Sequence, residues 1–296
     1  MIHKHPLRAP FALAATLATA VAAPSAQAVT WSDTFIGYRY GTEFREPNNR
    51  NDVEKHILQF THASGYSVGQ NFVNLDIFQS DDMDPADGDR IGEGEGATEF
   101  YLTYRHQVHL GKLLERSLAF GPVKEVAITA GFDLNTKNTA FAPRKRLLVL
   151  GPTLKFDVPG FLDVSLFAGK EWNHCGLGAP ACPDSDVSFD PQWILSVAWG
   201  IPFQAGPVPL KFQGFLNHIG EKGEDYAGLD TETETLMRTS LMVDVGQMAW
   251  GSKNTFFVGV GYELWRNKFG NHDDRFGREK PGIDTDAPTF QMEWHF

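Results

Sequence analysis

The segment Phe100-Tyr-Leu-Thr-Tyr-Arg-His-Gln-Val108 alternates mostly apolar residues with polar ones. Phe100, Leu102 and Val108 occupy even positions, whereas Thr103 and Arg105 occupy odd positions. Because successive side chains of a β-strand point to opposite faces, this period of two predicts a strand with one apolar and one polar face.

The same alternation recurs along most of the chain and predicts twelve strands. We place them at 34–44, 53–63, 70–79, 98–109, 123–135, 146–157, 161–172, 191–201, 208–219, 235–246, 254–267 and 287–296. Each is about long enough to cross a bilayer at a tilt. No apolar run after residue 28 reaches the roughly 18 residues that a transmembrane helix needs.

The connections between these strands alternate in length. Long polar connections follow the odd-numbered strands, at 45–52, 80–97, 136–145, 173–190, 220–234 and 268–286. Most of the others are short turns, such as 65–69, 158–160 and 202–207, although 110–122 is longer and is expected to hold a helical stub. An even number of strands with loops sorted in this way is typical of outer-membrane barrels, and a soluble sandwich or propeller would not show it. The sequence therefore predicts an all-β fold, a twelve-stranded antiparallel transmembrane β-barrel that forms one domain over 29–296.

The first 28 residues have the pattern of a secretory signal peptide. Lys4 and Arg8 precede an apolar run at 9–23, and Ala26-Gln27-Ala28 supplies a small-x-small cleavage site. The alternative is an uncleaved N-terminal helix. Export through a cleaved signal peptide, together with the barrel pattern, predicts the outer membrane of a Gram-negative cell. The net charge of −11 argues against a nucleic-acid binder, which needs a basic face.

The two cysteines, Cys175 and Cys182, lie in a segment rich in Gly, Pro and Ala. In an oxidising compartment two cysteines this close are expected to form a disulfide. A metal site that includes the adjacent His174 is the less favoured alternative, because the segment offers too few ligands. We expect no metal, cofactor or catalytic residue.

The last strand ends Phe290-Gln-Met-Glu-Trp-His-Phe296, with apolar residues at alternate positions. This ending resembles the signal that the bacterial barrel assembly machinery recognises, so that machinery is an expected partner through Phe296. The apolar strand faces are expected to contact outer-membrane lipids, with lipopolysaccharide at the outer surface.

The polar strand faces are expected to line a narrow passage, because eight strands enclose a filled interior and sixteen a wide channel. Glu43 is expected to point inward with this set. The positions expected to contact a ligand are Phe35, Arg39, Phe72, Asp76, Tyr101, Arg105, Glu125, Asp133, Phe215, Glu263 and Trp265. Aromatic rings beside polar groups suit a small solute with a flat ring and several hydroxyls, such as a nucleoside.

Two motifs support that expectation. Phe120-Gly-Pro-Val-Lys-Glu125 and Gly261-Tyr-Glu-Leu-Trp-Arg-Asn-Lys-Phe-Gly270 resemble segments of the nucleoside-specific channel-forming protein Tsx and its relative OmpK. The resemblance implies an outer-membrane channel for nucleosides and deoxynucleosides, with surface loops that phages or colicins use as a receptor. The cysteine-containing connection 173–190 departs from the family.

Other functions stay open on the sequence alone. A nonspecific narrow porin and a surface receptor or adhesin have the same strand pattern. His62-Ala63-Ser64 has the spacing of a barrel lipid hydrolase, but it adjoins a short turn and no Asn partner is evident. The acidic stretch Asp81–Asp89 resembles a calcium loop only loosely, since its spacing is broken, so a solvated loop is favoured over a calcium site at Asp82 and Asp84.

Overall fold

The computed structural model describes residues 28–273 and 279–296. The strands are β1 (Trp31–Phe44), β2 (Val53–Tyr66), β3 (Gly69–Ser80), β4 (Thr98–His109), β5 (Val123–Lys137), β6 (Arg146–Phe156), β7 (Phe161–His174), β8 (Asp186–Ser188), β9 (Gln192–Ala205), β10 (Val208–Ile219), β11 (Glu234–Asp244), β12 (Phe256–Arg266) and β13 (Thr285–His295). The twelve predicted strands are confirmed, and their ends lie within four residues of the predicted ones. The three-residue strand β8, which pairs with the end of β7, was not predicted. All of the predicted signal peptide except Ala28 lies outside the described residues.

The strands close into a ring. Each long strand pairs antiparallel with its neighbours in the sequence, and β7 pairs directly with β9. β1 pairs with β13, with Phe35 opposite His295 and Tyr40 opposite Phe290. Within the described residues the ring has twelve long strands, which confirms the predicted antiparallel barrel. In lipid, where no water can satisfy backbone groups, such closure gives every strand a partner on both sides.

The outer surface of the barrel is apolar, and β6 shows the alternation clearly. Leu148 and Leu150 are 55% and 57% exposed, whereas Leu147 and Val149, which alternate with them, are almost fully buried. Apolar side chains that point away from a closed barrel form the band that faces hydrocarbon. No helix in the described part of the chain is long and apolar enough to cross a membrane.

The two ends of the barrel differ. At one end, which we call the short-turn end, the connections are tight turns or hold α1 (Leu110–Leu113) and α2 (Val245–Trp250). α1 confirms the expected helical stub. α2 was not predicted, and it ends β11 at Asp244, because the Asp244 carboxylate accepts a hydrogen bond from the Gln247 N–H at 2.8 Å and so caps the helix. The other end, the long-loop end, carries the long connections.

Glu43 does not point into the barrel, contrary to the prediction. The β1–β2 pairing changes register between Gly41 and Phe44. A bulge of this kind moves every later side chain to the other face. Glu43 is therefore exposed, and Phe44, which is 2% exposed, takes the interior position.

The predicted disulfide between Cys175 and Cys182 is present in the β7–β8 connection, with the two Cα atoms 6.3 Å apart. Both cysteines are buried, and the N–H of Gly176 donates to the Phe141 carbonyl at 2.7 Å. The disulfide closes this connection on itself, and the hydrogen bond of Gly176 joins it to the β5–β6 connection. His174, the residue of the alternative metal site, pairs with Asp186 at 2.8 Å.

Candidate functional site: the barrel interior

The middle of the interior is crossed by a chain of ion pairs. Arg39 Nη2 lies 2.8 Å from Asp76 Oδ2, and Arg238 Nη1 lies 3.1 Å from the same oxygen. Arg238 Nε also lies 2.5 Å from Glu263 Oε2. We call these four residues the Arg238 network. β11 and β3, which carry Arg238 and Asp76, are separated by β12, β13, β1 and β2, so the contact between them spans the interior.

An apolar cluster lies on the arc of the ring that the Arg238 network spans. We call it the Phe44 cluster; it contains Phe44, Val53, Ile57, Phe78 and Ala287, with Met83 and Tyr101 packed against it. Its members come from the interior faces of β1, β2, β3 and β13. The sequence predicted a polar lining here. The structure instead has a packed apolar core on this arc, and not an open lumen.

A second apolar cluster fills the opposite arc. This Leu147 cluster consists of Leu147, Val149, Phe167, Ile194 and Ile219, which come from β6, β7, β9 and β10. Toward the long-loop end, Lys145 Nζ and Lys222 Nζ lie 3.2 and 2.9 Å from the carboxylate of Glu171. Burial alone would lower the pKa of Lys145, but the charge of Glu171 outweighs it and raises the pKa well above its ordinary value.

Some interior side chains between the two arcs stay partly exposed. In the half of the barrel nearer the long loops, they lie mainly on two walls. One wall is β4, and the facing wall is β10 with β11. β4 and β11 are separated by five long strands in either direction around the ring, so they lie opposite each other. We call this space the slit. Its lining residues are Glu99, Tyr101, Thr103 and Arg105 on the first wall, and Gln213, Phe215, Asn217, Leu236 and Arg238 on the second.

The predicted ligand-contacting positions fall into different surroundings. Tyr101, Arg105 and Phe215 line the slit. Arg105 Nη1 lies 2.6 Å from Asp133 Oδ1, and the Tyr101 hydroxyl donates to Asp133 Oδ2 at 3.2 Å. The ring of Phe215 remains partly exposed, with the Arg238 guanidinium carbon 5.8 Å from its centre.

At two of the predicted ligand-contacting positions, the aromatic ring already packs against other side chains. Trp265 is 8% exposed and donates from Nε1 to Glu234 Oε1 at 2.7 Å, and Lys268 Nζ lies 4.6 Å from its ring centre. The ring of Phe35 packs on that of His295, with the centres 4.7 Å apart. Neither ring faces the slit.

Five further predicted positions lie outside the slit. Arg39, Asp76 and Glu263 form the ion pairs of the Arg238 network, described above. Phe72 is 36% exposed and lies toward the short-turn end of β3. Glu125 follows a bulge at the start of β5, and its carboxylate accepts a hydrogen bond from the Gly111 N–H of α1 at 3.0 Å.

The residues proposed for a lipid hydrolase do not assemble a triad. His62 Nδ1 lies 2.8 Å from Thr34 Oγ1. Asn71 lies opposite Ser64 in the β2–β3 pairing, but its side-chain oxygen lies 2.8 Å from Nδ1 of His106. A catalytic triad needs one base that is bonded to both the nucleophile and the orienting group. No such base is found for Ser64 in the described contacts.

The acidic stretch Asp81–Asp89 is only partly a solvated loop. Asp87 and Asp89 are exposed, whereas Asp84 is 5% exposed and pairs with Lys137 at 2.7 Å. Among the described residues no group of three or more His, Cys, Asp or Glu side chains is placed to hold a metal ion.

Comparison with known proteins bears on the fold. No protein-family model and no curated protein sequence matches this chain. Among solved structures, an outer membrane channel from Pseudomonas putida F1 is similar, with 11% identity over 92% of this chain and 99% of that one and a TM-score of 0.46. The KdgM porin in complex with disordered oligogalacturonate has 8% identity over 88% and 99%, with a TM-score of 0.41.

The beta domain of the Bordetella autotransporter BrkA is similar to the same degree, with 10% identity over 90% of this chain and 98% of that one and a TM-score of 0.41. These similarities concern the fold alone and carry no statement about function. No sequence comparison supports the resemblance to the nucleoside channel family, which stays a prediction.

Proposed function

We propose that this protein is an outer-membrane channel through which small polar solutes, nucleosides above all, diffuse passively. The closed ring and its apolar outer band suit a bilayer, and long loops of such barrels face the cell exterior. In this orientation the long-loop end is extracellular and the short-turn end is periplasmic. Diffusion needs no covalent chemistry, so the proposal assigns no catalytic residue.

The slit is the observation that carries this proposal. The two apolar clusters fill opposite arcs of the extracellular half, and partly exposed side chains remain between them. Toward the periplasmic end, Phe72 on β3 and Lys211 on β10 are also only partly covered. A solute that leaves the slit would pass the Arg238 network and reach these side chains on its way to the periplasmic mouth.

Most of the charged side chains around the slit are paired, which favours an uncharged solute; the exception, Glu99, accepts a hydrogen bond from Asn135 Nδ2 at 2.5 Å. In the Arg238 network two guanidinium groups face two carboxylates, and Arg105 is paired with Asp133. Paired charges of opposite sign cancel at a distance, so they neither attract nor repel an ion as a ring of one sign would.

The chemistry of the two walls fits a ring that carries hydroxyl groups. Phe215 and Leu236 offer apolar surface on one wall. Asn217 on the same wall, and Thr103 and Glu99 opposite, offer donors and acceptors for hydroxyls. A base that stacks on Phe215 while its sugar bonds the polar groups would pass without a charged partner.

The test is conductance of the reconstituted protein in planar bilayers during titration with nucleosides, sugars and amino acids. We expect nucleosides alone to block the current saturably. Phe215→Ala should raise the half-blocking nucleoside concentration about tenfold, since base–aromatic stacking contributes about 1–3 kcal/mol. Phe212→Ala is the matched control, because Phe212 is on the same strand, 42% exposed on the outer surface. Equal block by all three solute classes would contradict nucleoside selectivity.

A further inference from the structure

Three lysine side chains converge on the carboxylate of Glu46, which lies in the β1–β2 connection. Glu46 Oε1 pairs with Lys55 and lies 3.1 Å from Lys268 Nζ, and Oε2 lies 3.1 Å from Lys137 Nζ. Lys137 Nζ also lies 2.7 Å from Asp84 Oδ2. We call these five residues the Glu46 cluster. Each of them is less than one-tenth exposed.

The Glu46 cluster joins three of the long connections, because its residues include members of the β1–β2, β3–β4 and β12–β13 connections. Two further hydrogen bonds strengthen the junction. The Asn48 N–H donates to the Pro281 carbonyl at 2.9 Å, and Asn49 Nδ2 donates to the Met83 carbonyl at 2.6 Å. The β1–β2 connection is therefore fastened to a connection on each side of it.

The Glu46 cluster lies across the mouth rather than along one wall. Lys268 lies two residues after the end of β12, and Lys137 ends β5, which is the strand opposite β12 in the ring. On the inner side, Lys55 Nζ lies 5.5 and 5.7 Å from the ring centres of Phe44 and Phe78 in the Phe44 cluster. The carboxylate of Glu46 thus bridges two opposite sides of the barrel above a packed core.

We propose that Glu46 is a latch that narrows the extracellular mouth, and that solute entry requires this carboxylate to leave its lysines. The inference rests on the proposed channel function. The contact is autoinhibitory, because the chain's own carboxylate ties the β1–β2 connection to Lys137 at the end of β5, next to the β4 wall of the slit.

The location of the charges distinguishes this latch from a brace. All four residues of the Arg238 network are on strands of the ring, where hydrogen bonds on both sides fix them. Glu46 and Asp84 are on connections, which are the segments that move most easily in a folded protein. When an ion pair separates, each charged group regains hydration, whereas separated apolar side chains gain nothing from water. An ion pair is therefore the contact that is more readily broken and formed again.

The experiment is single-channel recording of the full reconstituted chain, with nucleoside flux into proteoliposomes measured in parallel. We expect Glu46→Gln to raise the open fraction and the flux severalfold. Glu43→Gln is the matched control, because Glu43 lies three positions earlier and is exposed. It should leave both quantities at the wild-type level.

Lys137→Met provides a second, independent variant. It removes the tie to β5 while Glu46 keeps Lys55 and Lys268, and it should also raise the open fraction. If both variants assemble and gate like wild type, the latch is wrong and the channel function stands. If Glu46→Gln fails to assemble, Lys137→Met alone decides. If wild type and both variants pass neither ions nor nucleosides, the channel function itself is overturned and the latch with it.

Discussion

At the scale of single residues, Arg238 shows how much one buried charge holds together. Arg238→Met would leave Glu263 buried without its partner and remove one of the two cations at Asp76. Stripping one partner from a buried ion pair costs about 3–5 kcal/mol. We expect a loss of stability of that size, measured as a lower urea midpoint in lipid vesicles.

The matched comparison for Arg238 is Arg266, which pairs with Asp286 at 2.8 Å on the exposed surface. Exposed pairs contribute roughly 0–1 kcal/mol, so Arg266→Met should move the urea midpoint little. Equal midpoints for the two variants would show that the Arg238 network is not a stabilising brace.

The pH at which the extracellular mouth opens is also expected to depend on a single residue, Glu46. Burial alone would raise the pKa of Glu46, but the ammonium groups of Lys137, Lys268 and Lys55 outweigh it and hold the pKa well below the ordinary 4.5. A carboxylate with a lowered pKa contributes its full stabilisation above its unfolded value and loses it as the pH falls through the folded value. The latch should therefore stay closed at neutral and mildly acidic pH.

Opening is expected only well below pH 4.5, and the test is the open fraction recorded as the extracellular pH is lowered. Glu46→Gln should remove the acid step attributed to Glu46. An opening near pH 6 in wild type would contradict the lowered pKa.

At the scale of elements, the disulfide-closed segment Cys175–Cys182 tests how independent the loops are of the ring. It packs on the β5–β6 connection, but neither cysteine lies on a strand. A Cys175→Ser/Cys182→Ser variant should assemble a normal barrel and become more sensitive to limited proteolysis in this connection. A variant that no longer assembles would show that the loop is required by the barrel.

The elements were largely predictable because alternation along a strand is a local property. The apolar and polar faces of each strand can be recognised from that strand's own residues, so the bounds of the strands followed from the sequence. The exceptions are also local but depend on geometry that periodicity does not encode. The bulge before Phe44 reversed the face of Glu43, and the Asp244 cap ended β11 earlier than its apolar pattern suggested.

At the scale of the whole molecule, the sequence predicted which side chains point inward but not what they meet there. Val53 and Ala287 are far apart in the chain and pack together only because the ring closes. The same is true of Arg238 and of Asp76, which the alternation placed correctly on an inner face. Their pairing across the interior, and hence the shape of the slit, depends on the diameter and stagger of the barrel.

The pairing of β1 with β13 has a consequence for how this molecule comes apart. A sheet with free ends can fray from its outermost strand, one rung at a time. A closed ring has no outermost strand. Removing any one strand leaves two strand edges with unpaired backbone groups in hydrocarbon. Partial unfolding therefore costs the free energy of exposing two strand edges, and the transmembrane strands should unfold as a single cooperative unit.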